Sequence, residues 1–348
     1  MVANWQATCK GSSIPGWAEV VNSDLVPLLV AFLVTSAALP IALKLLQRWK
    51  MIDRPVERSS HRVPTPRGAG TAQILGIGAA WAVVGWIPMW GVLGPILFGV
   101  LGLVDDIKPQ RPLLRLGIQF LLGLATVAFF ISTPFSDIAS GMWFLAGAAF
   151  VVIMVNTANF MDGVNGISAV HGALLGAVYW IMLADVSPAW SAIAASLTGV
   201  SLAFLPWNWG RTAKLFLGDS GSYLLGSMTA VLAIAAWLSG ISLLVAVAPV
   251  TIYCVDVCVT LALRATARKR IFSAHREHVY QKLTAEGLSH PKVSLVVFSF
   301  SLLAGITALA ADSGIVSLPL ILFILLILSA AYVLLPRIVG TRGLKPMR

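Results

Sequence analysis

Leu25 to Leu46 reads LVPLLVAFLVTSAALPIALKLL, and a few residues later the chain passes into IDRPVERSSHRVPTPRGAG, from Ile52 to Gly70. The first segment is apolar apart from a Thr, a Ser and Lys44 near its end. At about 1.5 Å per residue, roughly 20 such residues cross the hydrocarbon of a bilayer. The second segment is the opposite in character. It sets Asp53, Arg58, His61, Arg62 and Arg67 among prolines that forbid a long helix, and Gly68 and Gly70 permit close backbone approach. A basic, rigid loop of this kind suits a phosphate-bearing ligand. It is equally what a positive loop at the inner face of a membrane looks like.

Working outward, the same alternation continues to the end of the chain. Ten more apolar runs are read at Thr71–Pro88, Trp90–Val104, Leu116–Ser132, Met142–Val155, Gly166–Asp185, Pro188–Pro206, Ser222–Leu238, Ile241–Leu263, Val293–Ala311 and Ile315–Leu335. The second, third and fifth runs of the full series are the short ones. The chain of 348 residues is 58% hydrophobic and only 11% charged, with a mean hydropathy of +0.88. Soluble domains carry about a quarter charged residues, so the apolar excess must face lipid. With the N-terminus outside, the inner segments are 47–70, 105–115, 156–165, 207–221, 264–292 and the C-terminal tail. They hold 22 of the 24 Lys and Arg residues, which fixes the orientation. The expectation is an all-α, polytopic integral membrane helical bundle of about 11 transmembrane helices, N-terminus out and C-terminus in, forming a single transmembrane domain over 1–348.

Several classes are excluded on the same ground. The formal charge of +10 follows from the inside-positive loops and does not imply nucleic acid. Cys9 stands alone, while Cys254 and Cys258 share one helix face as small hydrophobes, so there is neither a disulfide framework nor zinc spacing. The first apolar run has no cleavage pattern of a secretory leader. No internal repeat or long linker interrupts the series.

The polar motifs all fall on the inner side. LGLVDDIKPQ places Asp105 and Asp106 side by side at the inner interface. Adjacent carboxylates near lipid need a cation, either Mg2+ or a basic partner such as Lys108 or Arg111. In NTANFMDGVNG, Asn156, Asn159 and Asp162 recur every third residue and form one polar stripe on a helix. KLFLGDSGSYLLG sets Asp219 at a helix start. It offers a hard oxygen to a divalent cation, in a turn whose amides favour anions; alternatively, Asp219 or Ser220 only caps the helix. AHREHVYQK brings His275, Arg276 and His278 together behind Arg268, Lys269 and Arg270, a setting that fits phosphate better than zinc. His171 and His290 are read as structural. Asp256 lies inside a span, where a carboxylate is either functional or held by a partner such as a hydroxyl on a neighbouring helix.

These motifs, in this order, resemble the polyprenyl-phosphate N-acetylhexosamine-1-phosphate transferases, and the likeness covers nearly the whole chain. The resemblance implies Mg2+-dependent transfer of a sugar 1-phosphate from a UDP-N-acetylhexosamine to undecaprenyl phosphate with release of UMP, Mn2+ being an alternative ion. It makes Asp219 the metal ligand, and Asp105, Asp106 and Asp162 further catalytic candidates. It places Arg62, Arg67, Asn156, Asn159, Asn165, His275, Arg276 and His278 with the substrates, and Phe216 against the uracil. Two departures stand out. Many members have Asp where this chain has Asn165, and the peptidoglycan member has consecutive histidines where this chain has His275-Arg276-Glu277-His278. Together they favour an initiator of O-antigen or another surface glycan, working in a bacterial inner membrane with its site facing the cytoplasm, and a homodimer is the implied oligomer. A second class, a transporter or flippase for an anionic lipid or nucleotide sugar, requires polar residues along a path to the outer face, and the outer halves of the helices are nearly free of charge.

The expected chemistry is electrostatic. The acceptor is a phosphate monoester with a second pKa of about 6, so it is mostly dianionic at neutral pH and needs no strong base. Asp105 or Asp106 is then either a base for a residual proton or a group that orders the metal or a basic partner.

Overall fold

The structure is a computed structural model that describes residues 25–55, 63–84, 89–130, 138–270 and 275–341. Each of the eleven apolar runs forms helix. In chain order α1 (Leu25–Arg48) leads into a short antiparallel ladder, β1 (Ile52–Asp53) against β2 (Thr65–Pro66), and then α2 (Gly70–Val84), α3 (Met89–Ile107), α4 (Pro112–Ala128) and α5 (Ile138–Met161). There follow α6 (Ile167–Leu183), α7 (Pro188–Asn208), α8 (Gly218–Leu238), α9 (Leu243–Val247), a 3-10 turn at Ala248–Val250, α10 (Thr251–Thr266), α11 (Val279–Ala285), α12 (His290–Asp312) and α13 (Leu318–Thr341). Pro249, which lacks an N–H, explains why the ninth run divides into α9 and α10.

Among the described residues seven helical segments are long and apolar enough to cross a membrane. Three shorter apolar helices are α2, α4 and α6, of 15, 17 and 17 residues, and the third run, read as short, extends to the 19 residues of α3. The fifth run, read as short, is instead a full 24-residue helix. The difference arises because its Asn-bearing end stays helical to Met161 rather than breaking at the first polar residue. The 47–70 and 264–292 segments, read as loops, also hold the β1–β2 ladder and α11.

Position in the bundle follows composition. In α8, every residue from Ser220 to Ala236 is buried, and α8 packs against α2, α3, α5 and α6. Ten of its 21 residues are Ala, Gly or Ser, small enough for close packing on several sides. Two of its buried hydroxyls return to their own helix, Ser227 Oγ to Tyr223 O at 2.6 Å and Thr229 Oγ1 to Leu225 O at 2.7 Å. By contrast α13 shows Leu322, Phe323, Leu326 and Ile327 on its surface, the face a lipid solvent requires. His171 is buried in α6 with its ring stacked on Tyr253 of α10.

Candidate active site

The loops that the charge pattern assigns to one membrane face meet at one end of the bundle. Phe216 N donates to Pro66 O at 2.8 Å, and the amides of Gly68 and Ala69 donate to Phe216 O, both at 3.1 Å. PTPRGAG and LFLGDSGS thereby form one platform. Two glycines set its closeness. A Cβ on Gly70 would lie 2.0 Å from Gly221 N, and one on Gly102 would lie 2.2 Å from Asp219 O. With no side chain at either position, α2 and α3 lie directly on the start of α8.

One turn beyond Gly102, Asp106 turns its carboxylate onto that helix start. Oδ1 accepts from Asp219 N at 3.0 Å and Oδ2 from Ser220 N at 3.1 Å. The first amides of a helix lack intrahelical partners and carry its positive dipole end, and Asp106 satisfies both needs. The cap therefore comes from α3, and not from Asp219 or Ser220, and the anion place at this turn holds a resident carboxylate. Arg67 stands beside it, its Nε 3.6 Å from Asp106 Oδ1 and its Nη2 donating to Asp106 O at 3.2 Å.

Asp105 points the other way. Its Oδ1 accepts from Gln110 N at 2.7 Å, while Oδ2 accepts from Tyr223 OH at 2.9 Å and Arg115 Nη1 at 3.1 Å. The balancing cation is thus Arg115 at the start of α4, rather than Lys108 or Arg111. Both neighbouring carboxylates are buried, and together they tie α3 to α4 and α8.

The open edge is formed by other groups. Asn159 Nδ2 donates to Asp219 Oδ1 at 2.8 Å and to Ser222 Oγ at 3.1 Å. Asp219 is half-buried, and its Oδ2 accepts no hydrogen bond among the described residues. Asn156, one turn earlier, donates to Gln119 Oε1 at 2.7 Å. Asp162 follows α5 and takes a hydrogen bond from Ser168 Oγ at 2.6 Å. Burial pushes its carboxyl up to about 6; the Ser168 hydroxyl opposes that rise and the charge of Asp106 adds to it.

Asn165 is turned to another task. Its Nδ2 donates to Gly210 O at 3.0 Å, its N–H to His290 Nδ1 at 3.3 Å, and its carbonyl accepts from Ser294 Oγ at 2.8 Å. A carboxylate could not donate to Gly210 O, which accounts for an amide at this position. His290, read as structural, is part of the same brace.

On the far side, the His275–His278 segment lies against Phe160, the neighbour of Asn159 in sequence. The rings of His275 and His278 are 6.4 and 5.9 Å from that of Phe160, and Tyr280 OH donates to Phe160 O at 2.8 Å. His278 is buried, His275 half-buried and Arg276 exposed. Burial first, then His278 and the nearby cations, pushes His275 down to about 4, so it is neutral at pH 7. Arg67 and Phe216 are half-buried at the platform edge. Arg62, together with Arg58 and His61, lies outside the described residues.

Arg115, Gln119, Tyr223, Ser222 and Ser168 join this network without having been read from the sequence. Only Arg115 carried a signal: a paired carboxylate needs a cation, and Arg115 opens the next helix.

The donor set suits one kind of ion. Among the described residues no three His, Cys, Asp or Glu side chains cluster as a closed metal cage. Mg2+ does not ask for one, since it binds through one or two carboxylates, waters and substrate phosphates. Asp219 Oδ2 and the side-chain oxygen of Asn159 are hard, at the open edge, and take no protein donor among the described residues.

A membrane-embedded helical bundle that gathers carboxylates, amides and cations at one end defines an enzyme of the membrane interface working on phosphates. Comparison with known proteins agrees. The glycosyl transferase family 4 model matches residues 89–237. The chain is 30% identical to a decaprenyl-phosphate N-acetylglucosaminephosphotransferase of Mycobacterium tuberculosis, over 88% of its own length and 85% of the relative's. It is 26% identical to a probable undecaprenyl-phosphate N-acetylglucosaminyl 1-phosphate transferase of Bacillus subtilis, over 89% and 90%. It is also 28% identical to a phospho-N-acetylmuramoyl-pentapeptide-transferase of Desulforudis audaxviator, over 82% and 97%. The chain belongs to glycosyl transferase family 4, the polyprenyl-phosphate N-acetylhexosamine-1-phosphate transferases. It is a membrane phosphoglycosyl transferase, and the transporter reading falls away.

Proposed function

We propose that this transferase takes an N-acetylhexosamine 1-phosphate from a UDP-linked donor, passes it to undecaprenyl phosphate and releases UMP. It does so with Mg2+ at the cytoplasmic face of a bacterial inner membrane, as the first step of O-antigen or another surface glycan. The observation that carries the reading is Asp219: it is anchored through its backbone by Asp106 and through Oδ1 by Asn159, while Oδ2 accepts from no donor among the described residues. The positive loops gathered there favour cytoplasmic nucleotide sugars and the headgroup level of the inner leaflet. Two of the relatives are named for N-acetylglucosamine, which favours a plain N-acetylhexosamine donor over one bearing a peptide.

In the reaction an oxygen of the acceptor phosphate forms a bond to the sugar-bearing phosphorus. The bond from that phosphorus to the bridging oxygen breaks, and UMP leaves with the electron pair. The obstacle is repulsion between two anions. Asp219 Oδ2 and Asn159 would hold the divalent cation, which when bound neutralises phosphate charge and acts as a Lewis acid towards the departing oxygen. Arg67 adds fixed positive charge beside the same turn, and Arg276 adds it from the opposite loop. Phe216 offers its ring to the uracil at the platform edge. His275 and His278 bind through ring N–H or lone pair. Asp105 and Asp106, with every oxygen engaged, position Arg115, Tyr223 and the start of α8 rather than remove a proton.

The test is UMP release by the purified chain with undecaprenyl phosphate, Mg2+ and a panel of UDP-N-acetylhexosamines. Release that needs lipid, metal and Asp219 is the expected result. A folded protein that releases no UMP across the panel overturns the reading.

A further inference from the structure

Asp256 is a carboxylate deep in the bundle that the mechanism above does not use. It is fully buried in α10, and donors from its own helix and from two other parts of the chain converge on it. Oδ1 accepts from His278 Nδ1 at 2.9 Å, Val279 N at 3.0 Å and Thr260 Oγ1 at 3.4 Å. Oδ2 accepts from Tyr332 OH of α13 at 2.7 Å and from Tyr280 N at 3.3 Å. The amides of Val279 and Tyr280 open α11, so part of this is a helix cap supplied from another helix. A cap, however, accounts only for the two amides. The contact to the imidazole is a separate commitment of the same oxygen.

That imidazole belongs to the segment that lies against Phe160. The ring of His278 lies 5.0 Å from His275 and 5.9 Å from Phe160, and Phe160 directly follows Asn159, which holds Asp219. A carboxylate facing Nδ1 requires the proton on Nδ1, so Nε2 is the nitrogen available to a ligand. Left to itself, a neutral imidazole exchanges the two tautomers and rotates about its side-chain bonds. Bonded to a carboxylate that is itself fixed by four other donors, it does neither.

We propose that Asp256 is a positioning residue of the transferase, acting through His278 by holding Nδ1–H so that Nε2 is presented to the phosphate-bearing substrate. The inference rests on the reading of His278 as a substrate-binding residue. Asp256 touches no reacting atom. Its effect is on the tautomer and orientation of the histidine.

The experiment is a double-mutant cycle on the full-length chain in detergent, read as kcat/KM for UMP release, together with 15N spectra of histidine-labelled protein. Asp256→Asn is expected to lower kcat/KM about ten- to hundredfold, as loss of a partner behind a functional histidine does at metal sites. In a His278→Gln background the same change is expected to cost less than about twofold, because residues acting as one unit are not additive. The 15N resonances assigned to His278, by their loss in His278→Gln, should shift in Asp256→Asn. Tyr179→Phe, which removes a buried hydroxyl that donates to Ala246 O at 2.7 Å and touches neither Asp256 nor His278, serves as the structural control, lowering Tm while leaving kcat/KM and the His278 resonances in place. Where Asp256→Asn does not fold, Asp256→Glu takes its place in the cycle, with the same non-additivity expected.

Multiplicative losses in the double variant, or unmoved His278 resonances in Asp256→Asn, overturn the proposal and leave Asp256 as a cap for α11. Full activity of His278→Gln overturns it at the other end, by removing His278 from the substrate. A wild-type chain that releases no UMP defeats the functional reading instead, and the 15N comparison still decides whether Asp256 fixes the ring.

Discussion

Replacing Asp106 by Asn keeps one acceptor oxygen and puts an NH2 where the other oxygen was. One of the two amides at the start of α8, that of Asp219 or Ser220, then faces a donor. A hydrogen bond to a charged group contributes about 1.5–3 kcal/mol, and a buried donor left without a partner costs about 1–3 kcal/mol. The α8 dipole and Arg67 also lose their counter-charge, so about 3–6 kcal/mol is at stake. At roughly 1.5 °C per kcal/mol for a chain of this length, Tm should fall by about 5–9 °C. Asp219→Asn is a different perturbation. The new amide still accepts from Asn159, and its NH2 replaces an oxygen that had no donor. Tm should hold or rise, because a negative charge beside Asp105 and Asp106 has gone. Activity should fall roughly hundredfold or more, since a lost contact to the ion holding the phosphates is worth several kcal/mol. Thermal unfolding in detergent and UMP release, measured on the same preparations, separate the two effects. If Asp106→Asn unfolds at the wild-type temperature yet loses activity, Asp106 is a chemical group and the positioning account is wrong. If Asp219→Asn loses as much Tm as Asp106→Asn, Asp219 is a structural group and its place at the metal fails.

Asp162, with its carboxyl raised to about 6 by burial, binds its proton more tightly folded than unfolded. Its contribution to stability is therefore present at acid pH and lost as pH rises through about 6. Asp162→Asn should flatten the fall in Tm between about pH 4 and about pH 7, a window that runs from the unfolded carboxylate value to just above the folded one; an unchanged slope refutes it. Asn165→Asp puts an acceptor against Gly210 O in place of a donor and should destabilise by about 1–3 kcal/mol without raising activity. A Tm at or above wild type counts against this. Gly102→Ala inserts a Cβ at 2.2 Å from Asp219 O, so α8 must shift and kcat/KM should drop even where the protein folds. Full activity there means that the approach of α3 to α8 does not set the site.

The helices were legible because lipid leaves them no freedom: a run must be apolar and long, and polar residues must collect at its ends. That argument placed all eleven runs but read the third and fifth too short. Asn156 and Asn159 stay helical because Gln119 and Asp219 receive their side chains, and those partners lie 37 and 60 residues away. The need of these residues for partners was legible for the same reason, since a carboxylate at a membrane boundary must find a cation or hydrogen-bond donors. Their pairing was not. Nothing local says that Asp106 reaches α8 while Asp105 reaches Tyr223 and Arg115.

Asp256 shows why the division falls where it does. Its depth alone marked it as either functional or partnered, and the hydroxyl expected from a neighbouring helix is Tyr332 OH at 2.7 Å. The two possibilities then prove not to be alternatives, because the carboxylate that takes the hydroxyl also takes His278. A buried charge must recruit several donors to exist at all, and a loop that supplies them is fixed by doing so. Stability of the carboxylate and placement of the histidine are one set of hydrogen bonds, so a residue can be structural by every local measure and still set the geometry of the site.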